Sequence, residues 1–354
     1  MAYTTIDDPE AFFQVVTYTG NGSDNKSVTL PGDTDMQPDW VWIKNRTTET
    51  SDDSWNVFDS PRGVTKVMHI DTTDDEETDA NTLDAFESDG FRVDDDTAVN
   101  TNTETYVAYC WKGGTTSGID ATGADITPSA YSFNQTSGFS IIKYTGNDTA
   151  DTQVAHGIGA VPKFGIFKSY ADTTHRWQTY HHSLATNQKL YLDDTHAAVT
   201  DVDAWNETDP TSVNWTIDTE DDANESGELI LAYSWAEVQG FSKFGTYVGN
   251  GNADGTFIYT GFRPAWVFFK ESATADNWVC VDNKRNAFNP VKGRLRFDLN
   301  SDEDSPLEIC DFLSNGFKLR STLDETNTSG VTQIYGAFAE APFVNSNGVP
   351  GTAR

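Results

Sequence analysis

The chain is short of positive charge, of cysteine and of long apolar runs, and each shortage excludes something. Of 354 residues only 23 are Lys or Arg, against 55 Asp and Glu, for a formal net charge of −32. Such a surface repels phosphate backbones and argues against nucleic acid as a partner. Cys110, Cys280 and Cys310 are too few and too scattered for a disulfide framework or a zinc pattern, so each reads as a small buried apolar residue. No apolar run approaches the roughly 18 residues that a spanning helix requires. The segment Met1 to Asp8 has neither the basic start nor the apolar centre of a secretion signal. The expectation is a protein made in a cytoplasm, with no membrane insertion. Helical periodicity is nearly absent, and one short helix per unit is placed at Asp79–Phe86. No Gly-x-Ser-x-Gly elbow, phosphate-cradling loop or His-Glu-x-x-His occurs.

What is present is acid, aromatic residues and repetition. Asp dominates the acids, and Thr and Asn stand where Lys would be usual. Molar salt shortens the screening length to about 3 Å and relieves the self-repulsion of such a surface. The composition therefore points to a salt-loving source, such as a halophilic archaeon or its virus, with a merely acidic, soluble surface from a marine or mesophilic source as the alternative. A hydrophobic content of 37%, with 12% aromatic residues, is enough for a packed core.

Three segments run through the same landmarks in one order. Each opens on Tyr18-Thr19-Gly20-Asn21, Tyr144-Thr145-Gly146-Asn147 or Tyr247-Val248-Gly249-Asn250. Pro38, Pro162 and Pro264 then precede aromatic-aliphatic runs that end on Lys44, Lys168 and Lys270, and Trp55, Trp177 and Trp278 follow. The gap from proline to tryptophan is 17, 15 and 14 residues. Each segment closes on a strand-like stretch, Tyr106–Trp111, Leu229–Trp235 and Ile334–Ala339. The openings lie 126 and 103 residues apart, too far for a solenoid repeat of about 20 to 50 residues and domain-sized instead. Short runs rich in β-branched and aromatic residues, bounded by Gly, Asn, Asp and Pro, read as strands and turns. The expected fold is all-β, three tandem homologous β-sandwich domains of jelly-roll or lectin-like type. Their bounds are 13–114, 138–240 and 241–343, with an arm at 1–12, a linker at 115–137 and an arm at 344–354.

Candidate sites are weak by comparison. The carboxylate runs Asp74-Asp75-Glu76-Glu77, Asp94-Asp95-Asp96 and Glu220-Asp221-Asp222 could supply an acid and a base, or hold structural Ca²⁺, Na⁺ or K⁺, but none has the order of an EF-hand loop. His175, His181, His182 and His196 cluster in the second unit, with Asp193 and Asp194 as generic partners for a metal or catalytic site. At the aligned positions Asp59 and Ser60, or Asp282 and Asn283, stand in place of His181 and His182, which reads as a polar loop that tolerates exchange. Nine Asn-x-Ser/Thr sequons, Asn21, Asn45, Asn147, Asn206 and Asn327 among them, mark exposed loops. Trp205, Trp215 and Tyr170 are the candidates for stacking on a sugar ring, with core packing as their alternative. No catalytic residue and no cofactor is assigned.

Gly240–Gly251, Gly261–Val267, Asp311–Arg320 and Ala337–Phe343, with Gln37–Arg46 and Tyr106–Lys112 in the first unit, resemble a family of tailed-virus structural proteins found in marine phage genomes. The likeness runs from Phe13 to Phe343. It implies a virion component assembled in the host cytoplasm: a vertex turret or spike, a decoration protein or a tail fibre. Its implied partners are other virion proteins, further copies of itself in a trimer or pentamer, and a host surface glycan or glycoprotein. The acidic loops depart from that family and suit a haloarchaeal virus. Particle-borne glycan binding or polysaccharide depolymerisation is the alternative function, and a cellular adhesin the third.

Overall fold

Aromatic and aliphatic residues alternate along both faces of the strands that open and close each segment, so those strands need cover on both sides. The computed structural model describes residues 3–47 and 54–352; the tips of the two arms, residues 1–2 and 353–354, lie outside the described residues. The chain is all-β and sandwich-like, built of antiparallel sheets.

The first segment forms a six-stranded sheet in the order Phe13–Thr19, Thr105–Trp111, Trp40–Asn45, Asn56–Asp59, Lys66–His69 and Glu77–Thr78. A three-stranded sheet of Lys26–Thr29, Gly90–Val93 and Leu83–Glu87 accompanies it. The second segment repeats the plan with a seven-stranded sheet and the pair Thr152–Ala155 and Asn214–Ile217. In the third, eight strands from Ser242–Val248 to Phe257–Tyr259 form one continuous sheet. Pairing registers align the units residue by residue: Trp40 faces Asp59, Phe164 faces His181 and Trp266 faces Asp282.

The alternation sends each main sheet into two cores. Val41, Ile43, Ala108 and Cys110 belong to a core private to the first unit, and Val267, Phe269 and Ala337 to one private to the third. The intervening residues Trp40, Trp42, Tyr109 and Trp111 meet Phe164, Ile166 and Trp235 from the second unit and Trp266, Phe268 and Phe338 from the third in one common core. Ring centroids lie 4.7 Å apart for Trp40 and Tyr233, 4.9 Å for Phe164 and Phe268, and 5.0 Å for Tyr109 and Trp266, so every pair of units is in aromatic contact. The free space at the centre is about 10 Å³, scarcely what one water requires. The sandwich-like units expected from the sequence therefore form one body around a shared interior.

The repeated tryptophan closes that body into a ring. Trp55 Nε1 of the first unit donates to the Arg296 carbonyl of the third, at 2.6 Å. Trp177 Nε1 of the second donates to the His69 and Thr72 carbonyls of the first, each at 3.0 Å. Trp278 Nε1 of the third donates to the Tyr191 carbonyl of the second, at 2.8 Å. The buried lysines follow the same circuit: Lys44 Nζ to Asn300 O, Lys168 Nζ to Thr73 O and Lys270 Nζ to Thr195 O, at 2.9, 2.9 and 3.0 Å.

One expectation is corrected. Asp79–Phe86 is not helical; Leu83–Glu87 is a strand paired with Gly90–Val93. The one-turn helix that each unit does have lies just before the closing strand, at Thr97–Asn100, Asp221–Asn224 and Asp324–Asn327. Within 115–137, Ala130–Asn134 is an edge strand of the second sheet, and Ser132 Oγ donates to Asp39 of the first unit at 2.9 Å. Both arms dock on the chain itself: Thr4 Oγ1 donates to Gln239 O at 2.7 Å, and Gly351 N donates to Phe343 O at 2.7 Å.

Trp177→Phe keeps an aromatic ring but removes the pyrrole half of the indole, and with it the N–H that reaches two carbonyls of the neighbouring unit. Loss of such a buried donor costs about 1–3 kcal/mol, so the urea midpoint falls with an unchanged m-value, measured by equilibrium unfolding; an unchanged midpoint would contradict the role of the seam.

Candidate functional site

The residues repeated three times converge on internal positions. Tyr18, Tyr144 and Tyr247 donate their hydroxyls to the carbonyls of Val99, Ala223 and Thr326 in the one-turn helices, at 2.8, 2.6 and 2.5 Å. The last residue of each helix, Asn100, Asn224 or Asn327, accepts through Oδ1 the N–H of Asn21, Asn147 or Asn250. Glycine is required between Tyr and Asn, since a Cβ at Gly20, Gly146 or Gly249 would lie 2.0, 2.3 and 2.3 Å from a carbonyl oxygen. The Tyr-x-Gly-Asn signature is thus a clasp that fixes the opening strand to the helix.

An aspartate in each unit receives the tryptophan's main chain. The N–H groups of Trp55, Trp177 and Trp278 donate to Asp71, Asp193 and Asp298 at 2.9, 3.0 and 2.9 Å. Burial pushes Asp193 and Asp298 up to about 6, and it pushes Lys168 and Lys270 down to about 8. The sequence carries a signal for these aspartates, which follow the tryptophan by 16, 16 and 20 residues.

Two seams carry a buried triad. Tyr233 of the second unit donates to Asp59 of the first at 2.8 Å, and Arg62 Nε meets the same oxygen at 2.5 Å. Tyr109 of the first unit donates to Asp282 of the third at 2.9 Å, where Arg285 Nε sits at 2.5 Å. Burial alone would raise Asp282, but Arg285 and the hydrogen bonds from Arg285 and Tyr109 outweigh it and hold the carboxyl below its usual range. At the third seam the register puts His181 and Gly336 in these places, and Leu184 follows His181 by three residues as Arg62 follows Asp59 and Arg285 follows Asp282. His181 Nδ1 accepts the Ser183 N–H at 3.2 Å, so Nε2 carries the proton and donates to the Tyr335 carbonyl at 3.3 Å.

The histidines are therefore not the polar, exchangeable loop that alignment implied. His181 is a fully buried strand residue, and His182 Nε2 lies 3.2 Å from the Phe244 carbonyl of the third unit. His175 pairs with Glu225, and His196 with Asp194. Among the described residues no group of three His, Cys, Asp or Glu side chains is placed to hold a metal.

Of the three candidates for stacking on a sugar ring, the two tryptophans are interior. Trp205 and Trp215 are each 1% exposed and belong to the private core of the second unit. Gly165 stands where the other units have Val41 and Val267, and the Trp215 ring fills the vacated space, so an aromatic that looks like a loop residue is drawn inward. Tyr170 is half-buried beneath Lys143, 5.3 Å from its ring centre. Of the named sequons, Asn45 and Asn327 are fully buried. Carboxylates in the acidic runs have local duties: Glu76 pairs with Arg62 and Lys66, and Asp96 and Glu220 cap helices. The aromatics that do face outward are Phe257, Tyr259 and Phe288, 43, 53 and 80% exposed. The alternation Phe257-Ile258-Tyr259 in an edge strand was the available signal.

Residues 8–342 match the family described as Domain of unknown function (DUF7483), and the chain belongs to that family. No curated protein matches the chain.

Burial, with His182 beside it, pushes His181 down to about 3 from its ordinary 6.5. Below pH 6.5 the unfolded chain takes up a proton that the folded chain refuses, so this residue removes stability as the pH falls from 6.5 towards 3, by about 1.4 kcal/mol per unit. Urea unfolding of wild type and His181→Asn across that window should show the wild type losing stability relative to the variant; parallel profiles would refute the assignment.

Proposed function

We propose that the chain is a non-enzymatic structural protein on the surface of a tailed virus particle, as a vertex turret or spike, a decoration protein or a tail fibre. The observation that supports this reading is the use of the repeated residues. The triplicated Tyr, Gly, Asn, Lys, Trp and Asp are all spent on clasps, seams and core. Triplication of this kind builds a rigid body, with its variable loops outside. A net charge of −32 fits a particle in concentrated salt, where short-range screening removes its cost. Neighbouring copies and other particle proteins are the expected partners, and attachment to the host surface is the expected outward role.

Glycan binding on the particle is the second reading, favoured by Phe257 and Tyr259. They lie two residues apart on one face of an edge strand, a spacing of about 6.6–6.8 Å that suits stacking on sugar rings.

Antibody labelling of purified particles, viewed by electron microscopy in high salt, tests the proposal. Label at vertices assigns a turret or spike, over the shell a decoration protein, and along the tail a fibre. Unlabelled particles would overturn it. Phe257→Ala with Tyr259→Ala should abolish binding to host glycan if the second reading holds, and leave particle assembly intact.

A further inference from the structure

At the position of Val67 the three units differ in a way that leaves a deficit in the first. Pairing registers align Val67, Lys189 and Arg294. In the second unit Lys189 is 1% exposed and its ammonium is fully engaged. It lies 2.5 Å from Glu220, 2.9 Å from Asp201 and 3.3 Å from Gln178 Oε1. In the third unit Arg294 fills the same place, paired with Asp304 at 2.8 Å and with Glu325. Each of these two units thus supplies its own cation to the carboxylates around its one-turn helix.

Among the described residues the first unit retains acceptors at these places, and Val67 supplies no cation to them. Val67 ends short, and a cleft of about 360 Å³ opens beside it, lined by Asp74, Glu77, Asp79 and Asp96. Asn56 occupies the register position of Gln178, the residue whose side-chain oxygen accepts from Lys189. Asn56 also lines the cleft and is 0% exposed, and among the described residues its Oδ1 has no hydrogen-bond partner. A buried carbonyl oxygen without a donor carries an unrelieved desolvation penalty, which a donor entering the cleft would remove. Lys66, next to Val67, does not supply one, because its ammonium is held by Glu76 at 3.1 Å and Thr78 at 2.6 Å.

We propose that this cleft binds the primary ammonium group of a flexible aliphatic amine, which takes the place that the Lys189 side chain holds in the second unit. The carboxylates supply charge, Asn56 Oδ1 supplies the directed acceptor, and Val67 with the walls of the cleft receives the aliphatic stem. The chemistry is shared by a free diamine and by a lysine side chain of a partner protein. The site stands independently of any role on a virus particle.

The test is calorimetric titration of the whole chain with cadaverine and, in parallel, with Nα-acetyl-lysine methylamide, in molar KCl. Salt at that concentration screens exposed charges within about 3 Å, so diffuse attraction to an acidic surface is suppressed while a cleft site persists. The expected result is saturable binding of one equivalent. Tighter binding of cadaverine assigns a free amine, and tighter binding of the lysine derivative assigns a protein side chain. Val67→Lys supplies the cation internally, as the second unit does, and should abolish binding. Asn56→Val, the residue type found at the aligned Val279, should weaken it at least tenfold if Val67→Lys does not fold. Val248→Lys adds the same charge at an exposed site and should leave binding unchanged. Absence of saturable binding of either amine, equal loss in Val248→Lys, or full binding in both cleft variants would overturn the proposal.

Discussion

Each main sheet of this protein carries a row of large aromatic side chains on the face turned away from its own small sheet or flap, and no unit can cover that face alone. Leaving such rings in water forfeits roughly 1.5–3 kcal/mol apiece, and an aromatic patch that large on a free-standing unit would invite association. Three units laid together solve the problem at once, because Trp40, Trp111, Phe164, Trp235, Trp266 and Phe338 cover one another. The tryptophan and lysine bonds across the seams follow from that packing. Polar groups forced into the interior need partners, and the carbonyls of the next unit are what lies within reach.

Within this frame the three copies have diverged where divergence is tolerated. Two seams use a tyrosine, an aspartate and an arginine, a buried charge pair that is stable only with all its members present. The third has exchanged the set for His181, Leu184 and Gly336, which together hold neither a formal charge nor a long side chain to be satisfied. Phe268 occupies the room that a side chain at position 336 would need. The cation position has likewise lost its charge in one copy, from Lys189 and Arg294 to Val67, and a cleft opens beside it. Functional novelty in a triplicated body is expected at such points, where one copy has been released from a duty that the other two still perform.

Much of the fold was legible because the chain states its pattern three times. Strand-rich composition and the turn residues that bound the runs carry the all-β reading. The sharing of one core was not legible, because a residue alternation shows that both faces are buried without saying what covers them. Trp205 and Trp215 misled for a related reason: they sit among polar neighbours in sequence, yet a distant glycine, Gly165, leaves the space that one of them fills. The seam role of His181 was hidden because its partner, the Tyr335 carbonyl, belongs to the main chain and leaves no mark in sequence. The Val67 difference was in plain view, but it acquires meaning only when the pairing registers bring it into line with Lys189 and Arg294.

The proposition on which the account rests is that the units are mutually dependent. Residues 138–240 expressed alone measure it most directly. The account predicts an excised unit that lacks dispersed amide resonances, binds a hydrophobic dye, and becomes ordered only when the two remaining segments are supplied. A monomeric segment with a dispersed spectrum and a cooperative unfolding transition of its own would contradict it.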